Sequence, residues 1–106
     1  MGEIAARTLE VARQLVPAAS ADVSMRRILT NEIRRRMNRY ELMDRRFRHK
    51  YSMHFNEFRK RRVVEKQGYS FEVESDYCDW EMVVTGLAAL REQLTRLEAS
   101  KSAWNY

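Results

Sequence analysis

The stretch YSFEVESDYCDWEMVVTGLAALREQLTRLEA, residues 69–99, decides the fold. Val73, Tyr77, Trp80, Val84, Leu87, Leu90, Leu94 and Leu97 recur at steps of four, three, four, three, three, four and three. That is a near-heptad with one irregular step beside Gly86. An apolar stripe this narrow is the sequence form of a coiled-coil seam and demands a second helix to cover it. The spacing predicts a last helix from Ser75 or Asp76 to about Ala99, with YSFEVES before it as a loop.

The simplest covering helix lies upstream, folded back as an antiparallel hairpin; a second copy of the chain is the other candidate. From about Met25 to Lys50 the apolar positions are Leu29, Ile33, Met37, Tyr40, Met43 and Phe47, continuing to Tyr51, all at steps of three or four. Asp22 or Ser24 can cap its start by accepting from free first-turn amides. At 1.5 Å per residue this helix is roughly 40 Å long. It is too long to be covered by a small globule, so it needs a partner helix. Between the two long helices, MHFNEFRKRRVVEKQ reads as one short helix, with Met53, Phe55, Phe58 and Val63 or Val64 inward. Gly68 suits the left-handed position after it. Upstream, residues 3–16 form a short amphipathic helix with Ile4, Leu9, Val11, Ala12, Leu15 and Val16 as its apolar positions, ended by Pro17.

The architecture expected is therefore all-α: an elongated antiparallel helical hairpin or coiled coil with a short helix at its bend. It forms a single domain over 1–106, in which 1–23 are an N-terminal helix and linker and 24–106 the hairpin. Seam surface left over after the hairpin closes is expected to join two copies into a homo-oligomer.

Composition excludes several classes. No run of about 18 apolar residues exists to span a bilayer, and MGEIAARTLE lacks the apolar core of a secretory signal. The only cysteine, Cys78, has no partner for a disulfide or a multi-cysteine metal site. A reducing cytoplasm is the expected location. The acidic neighbours Asp76, Asp79 and Glu81 disfavour a reactive thiolate, and a buried or half-buried place is expected for Cys78. His49 and His54 lack a carboxylate at ligand spacing, and there is no glycine-rich phosphate loop. No metal, no cofactor and no catalytic residue is expected.

The net charge of +5 conceals a division. Residues 26–66 hold 15 Lys and Arg against 5 Asp and Glu, whereas residues 67–106 hold 3 against 7. Two surfaces with different electrostatic partners follow. Arg26, Arg27, Arg34, Arg35, Arg36 and Arg39 are the candidate nucleic-acid contacts, since arginine-rich helices bind phosphate backbones by releasing counterions. The same residues could equally be a solvated face whose aliphatic stems cover the stripe. A ribbon-helix-helix reader lacks its strand, because MGEIAART shows no alternation.

RRFRHKYSMHFNEFRKRR followed by YSFEVESDYCDWE and a leucine-spaced helix resembles a group of small helical prokaryotic antitoxin-type proteins encoded beside small toxins, often nucleases. The likeness covers about residues 40–97 and is carried by Lys50, Tyr51, Met53, Phe55, Glu57 and Phe58, then Phe71, Glu72, Glu74, Asp76, Trp80 and Glu81. Ser52 and His54 depart from it, standing where Gly and a capping Ser are usual. The resemblance implies neutralisation of a cognate toxin by direct contact, with operator DNA as a further partner.

Phe71, Glu72, Glu74, Asp76, Tyr77, Asp79, Trp80 and Glu81 are the partner-binding candidates. Carboxylates can stand where a nuclease expects phosphates, and aromatics supply anchoring area. Each acid also has a plainer role, stabilising a helix N-terminus. The alternatives are a nucleic-acid-binding or coiled-coil scaffold protein and, as a minor reading, a helical ribonuclease using Arg48 and His54. Against the last, 12 of the 41 residues from 26 to 66 are Arg, so chance alone supplies a suitably spaced arginine more often than not.

Overall fold

Five helices follow one another in the computed structural model, which describes residues 5–18 and 20–104, with side chains described through residue 99. They are α1 (Ala6–Leu15), α2 (Ala21–Tyr51), α3 (Phe55–Lys60), α4 (Val63–Lys66) and α5 (Phe71–Trp104). No strand occurs among the described residues, and α2 packs against α5 in an all-α, hairpin-like fold. Contacts divide the chain into two compact units, Met1–Arg35 with Gln93–Tyr106, and Arg36–Glu92.

In the unit Arg36–Glu92 the two long helices pair antiparallel. Glu41 meets Arg91 and Asp44 meets Trp80, while Tyr51 meets Asp76. Partner numbers thus fall along α5 as they rise along α2. The irregular step in the seam has a local cause at Gly86. A Cβ there would come within 2.7 Å of the Tyr40 ring, so glycine lets the aromatic lie against the α5 backbone.

Near the bend the core is aromatic. Trp80 and Phe58 are fully buried, with Phe55 and Val73 nearly so, and Phe47, Tyr51 and Tyr77 pack around them. Trp80 stacks on Phe47 at a centroid distance of 5.4 Å and on Tyr51 at 5.9 Å. Phe55 and Phe58 approach it at 5.4 and 5.1 Å. The indole N–H donates to Asp44 Oδ1 at 2.8 Å, so the largest buried side chain leaves no polar atom unpaired.

The bend differs from the single short helix expected for 53–67. Arg62 takes a left-handed conformation (φ 54°) and splits that segment into α3 and α4. Ser52, Gly68 and Tyr69 are left-handed as well. Gly68 therefore stands as expected, and Ser52 occupies a backbone conformation that glycine adopts more easily.

Several boundaries move for reasons of capping. The loop expected at YSFEVES is helix from Phe71, because Ser70 Oγ accepts from the Val73 amide at 3.3 Å and Glu72 and Glu74 favour the first turn. The last helix also runs past Ala99 to Trp104. The second helix begins at Ala21, capped not by Asp22 or Ser24 but by Ser20, whose Oγ accepts from the Val23 amide at 3.2 Å.

In the unit Met1–Arg35 with Gln93–Tyr106, burial is thinner. Leu29, an expected stripe residue, is 45% exposed. In α1, Val11 and Leu15 are exposed and Ala12 alone is buried, while Ile4 lies outside the described residues. Ser24 is fully buried and its Oγ has no hydrogen-bond partner. An unpaired buried hydroxyl costs free energy, and alanine is the better helix former. Ser24→Ala is therefore expected to raise the unfolding free energy by about 1 kcal/mol, measured by urea denaturation followed by circular dichroism. A comparable loss would show that the hydroxyl is satisfied. Trp80→Phe, by contrast, is expected to lower it by about 2–4 kcal/mol, since it leaves a cavity and an unpaired Asp44 carboxylate.

Candidate partner-binding face

Because α5 turns one side to the aromatic core, its residues divide by angle. Val73, Trp80, Val83, Leu87 and Leu90 point inward. Val83, fully buried, is a core residue outside the expected seam. On the opposite side Phe71, Cys78, Met82 and Ala89 follow at steps of seven, four and seven, with Ser75 and Thr85 filling the same row. Phe71 is 85% exposed and Met82 53% exposed. Cys78 is also exposed, not buried or half-buried as its acidic surroundings had suggested. This second row was legible in the sequence as another heptad, hidden because its members are small or mixed in polarity.

The expected partner-binding residues therefore separate into three roles. Phe71, Glu74, Asp79 and Glu81 lie on the exposed side of α5. Glu74 and Asp79 have no ion-pair partner among the described residues, while Glu81 accepts a long hydrogen bond, 3.4 Å, from the Tyr77 hydroxyl. Trp80, also expected on the contact face, is entirely inside the aromatic core.

Glu72 and Asp76 form the third group, tying α5 to α2. Lys50 Nζ donates to Glu72 Oε1 and Asp76 Oδ2, each at 2.6 Å, and Tyr51 Oη donates to the same Asp76 oxygen at 2.5 Å. Hydrogen bonds to Asp76 and Glu72 hold the Lys50 ammonium well above its ordinary value. Burial, followed by the bond to Asp76, pushes the Tyr51 hydroxyl up to about 12. Burial pushes the Asp76 carboxyl up, but hydrogen bonds from Lys50 and Tyr51 outweigh it and hold the group below its ordinary value.

The arginines on α2 are likewise partly occupied. Arg35 pairs with Glu32 at 2.8 Å within one helical turn, and Arg34 approaches Glu98 at 3.8 Å. Arg26, Arg27 and Arg34 share a cleft of about 200 Å³ with Thr30, Asn31 and the acidic Glu98. Arg36 and Arg39, both exposed, belong to the other unit. Thr30 and Asn31 were not among the expected nucleic-acid residues, although they lie one turn from Arg26, Arg27 and Arg34 on the same helix side.

Arg48 and His54 are placed on different elements, near the end of α2 and at the start of α3. Arg48 Nε is 3.1 Å from Asp44 Oδ2, beside the carboxylate oxygen that holds Trp80. His54 is exposed at the N-terminus of α3 and lines a small cleft with Asn56, Arg91 and Asp44, the carboxylate that Arg48 pairs with. Among the described residues no three His, Cys, Asp or Glu side chains converge as a metal ion requires, and no helix is long and apolar enough to cross a membrane. Compared with known proteins, the chain matches no family model, no curated protein and no solved structure.

The Lys50–Tyr51–Asp76 network has a defined pH signature. The lowered Asp76 value favours the fold above its unfolded value near pH 4 and is lost as pH falls through the folded value. The raised Lys50 and Tyr51 values favour the fold below their unfolded values near pH 10 and are lost as pH rises through the folded ones. Tyr51→Phe is expected to cost about 1–2 kcal/mol at pH 7. That deficit should narrow above about pH 10 and below about pH 4, read from denaturant melts across pH. A deficit that stays constant from pH 3 to 11 would contradict the network.

Proposed function

We propose that this protein is an antitoxin-like binder that neutralises a small basic toxin, a nuclease being the fitting kind, by stoichiometric contact and without catalysis of its own. The observation that carries the reading is the outward side of α5. There Met82 and Cys78 are exposed between Asp79 and Glu81, and the core makes no use of that side. An apolar ridge with carboxylate edges suits a cationic protein surface: the apolar atoms give area and the acids give steering and register. The antitoxin-type resemblance of residues 40–97 points to the same role. The cytoplasm is the compartment this reading requires.

A second reading, contact with nucleic acid such as an operator, is favoured by the Arg26, Arg27 and Arg34 cleft. Thr30 and Asn31 beside those guanidinium groups combine phosphate-binding and base-reading side chains on one helix. It complements the first reading, because the basic α2 residues and the acidic α5 ridge are different side chains.

Reversal of Asp79 and Glu81 to Lys tests the principal reading. Both side chains are exposed, so helicity and melting should be unchanged, while protection of cells expressing the neighbouring toxin gene is lost and the two proteins no longer co-purify. The reading fails if the chain by itself degrades RNA and His54→Ala removes that activity. It fails equally if the charge-reversed protein protects as well as the parent.

A further inference from the structure

Two features near the bend fit one another as knob and hole. The knob is Phe71, 85% exposed at the start of α5, with Glu74 one turn further along the same side. The hole is an open groove of about 350 Å³ lined by Val63, Val64, Tyr69 and Tyr77, with Arg59, Arg62 and the Glu65 that pairs with Arg62 contributing to it. The groove is ample for one aromatic ring. Phe71 does not fill the groove of its own chain, as its exposure shows.

The charges match as well. Glu74 lacks an ion-pair partner among the described residues, and Arg59 lies over the Phe55 ring without a carboxylate of its own. Arg62 holds only Glu65, an exposed pair three residues apart that is readily exchanged. We infer that a second copy of this chain is the occupant: Phe71 of each protomer enters the other's groove while Glu74 meets Arg59 across the interface. Two chains related by a two-fold axis use both knobs and both holes at once, and that closed arrangement is the one inferred. Tyr69, a wall of the groove that is itself 59% exposed, extends the apolar contact. This interface uses Phe71 and Glu74 and leaves Cys78, Asp79, Glu81 and Met82 open, so a dimer presents two copies of the proposed toxin-binding ridge.

Sedimentation equilibrium of the full chain tests the assignment. The parent is expected to dimerise, and Phe71→Ala to raise the dimer dissociation constant by at least about tenfold, with helical circular dichroism unchanged. Arg59→Glu and Glu74→Arg should each weaken association, and Arg59→Glu with Glu74→Arg together should restore it. Asp79→Lys with Glu81→Lys should leave the dimer intact, which separates this contact from toxin binding. A parent that stays monomeric up to about 1 mM, a range reached only by contacts too weak to be specific, would overturn the inference. So would a dimer indifferent to Phe71→Ala, or a mass that grows with concentration without closing at two.

Discussion

Burial of the Trp80 indole, with its N–H held by Asp44, is the constraint on which the unit Arg36–Glu92 depends. A side chain of that size can be enclosed only if several elements contribute walls. Here α2 supplies Phe47 and Tyr51 and α3 supplies Phe55 and Phe58. The hydrogen bond to Asp44 fixes which turn of α2 faces which turn of α5, something apolar packing alone does loosely. Asp44 is in turn steadied by Arg48, and one turn away Lys50 and Tyr51 grip Asp76. The backbone turns left-handed at Ser52, Arg62, Gly68 and Tyr69, which lets two short helices close over the indole between the long ones.

Once that core is satisfied, the remaining chemistry of α5 lies outward. A helix that is apolar on its inner side and carries a second, weaker row on the outer side has surface in excess of what folding needs. The functional proposal rests on that excess. It also explains why the acids of residues 72–81 are not equivalent: Glu72 and Asp76 stabilise the helix pair, whereas Asp79 and Glu81 are exposed on the outward side and make no ion pair with α2.

Much of the fold was legible in the sequence because it depends on periodicity. The steps from Val73 to Leu97 announce a seam, and those from Ile33 to Tyr51 its complement. What escaped was decided by short-range hydrogen bonds and by small residues. Ser70 turned an apparent alternation into a helical first turn, and Ser20 rather than Asp22 started α2. Arg62 bent the chain without a glycine to mark the place. The site was less legible: Trp80 combines the composition of an interface anchor with the spacing of a core residue, and only burial decides between them. Cys78 and Met82 were hidden by the reverse problem, an outward row too modest in hydrophobicity to stand out.

The most direct measurement of the central claim uses Cys78 as a reporter in the middle of the outward ridge. Its alkylation rate is to be measured in the free chain and, at the same protein concentration, in a complex with a co-expressed candidate toxin. The account predicts that the exposed thiol is alkylated at least about tenfold more slowly in the complex than in the free chain, as expected for a residue beside a desolvated contact. Equal rates in the two states would contradict it, because the partner would then be held elsewhere on the molecule.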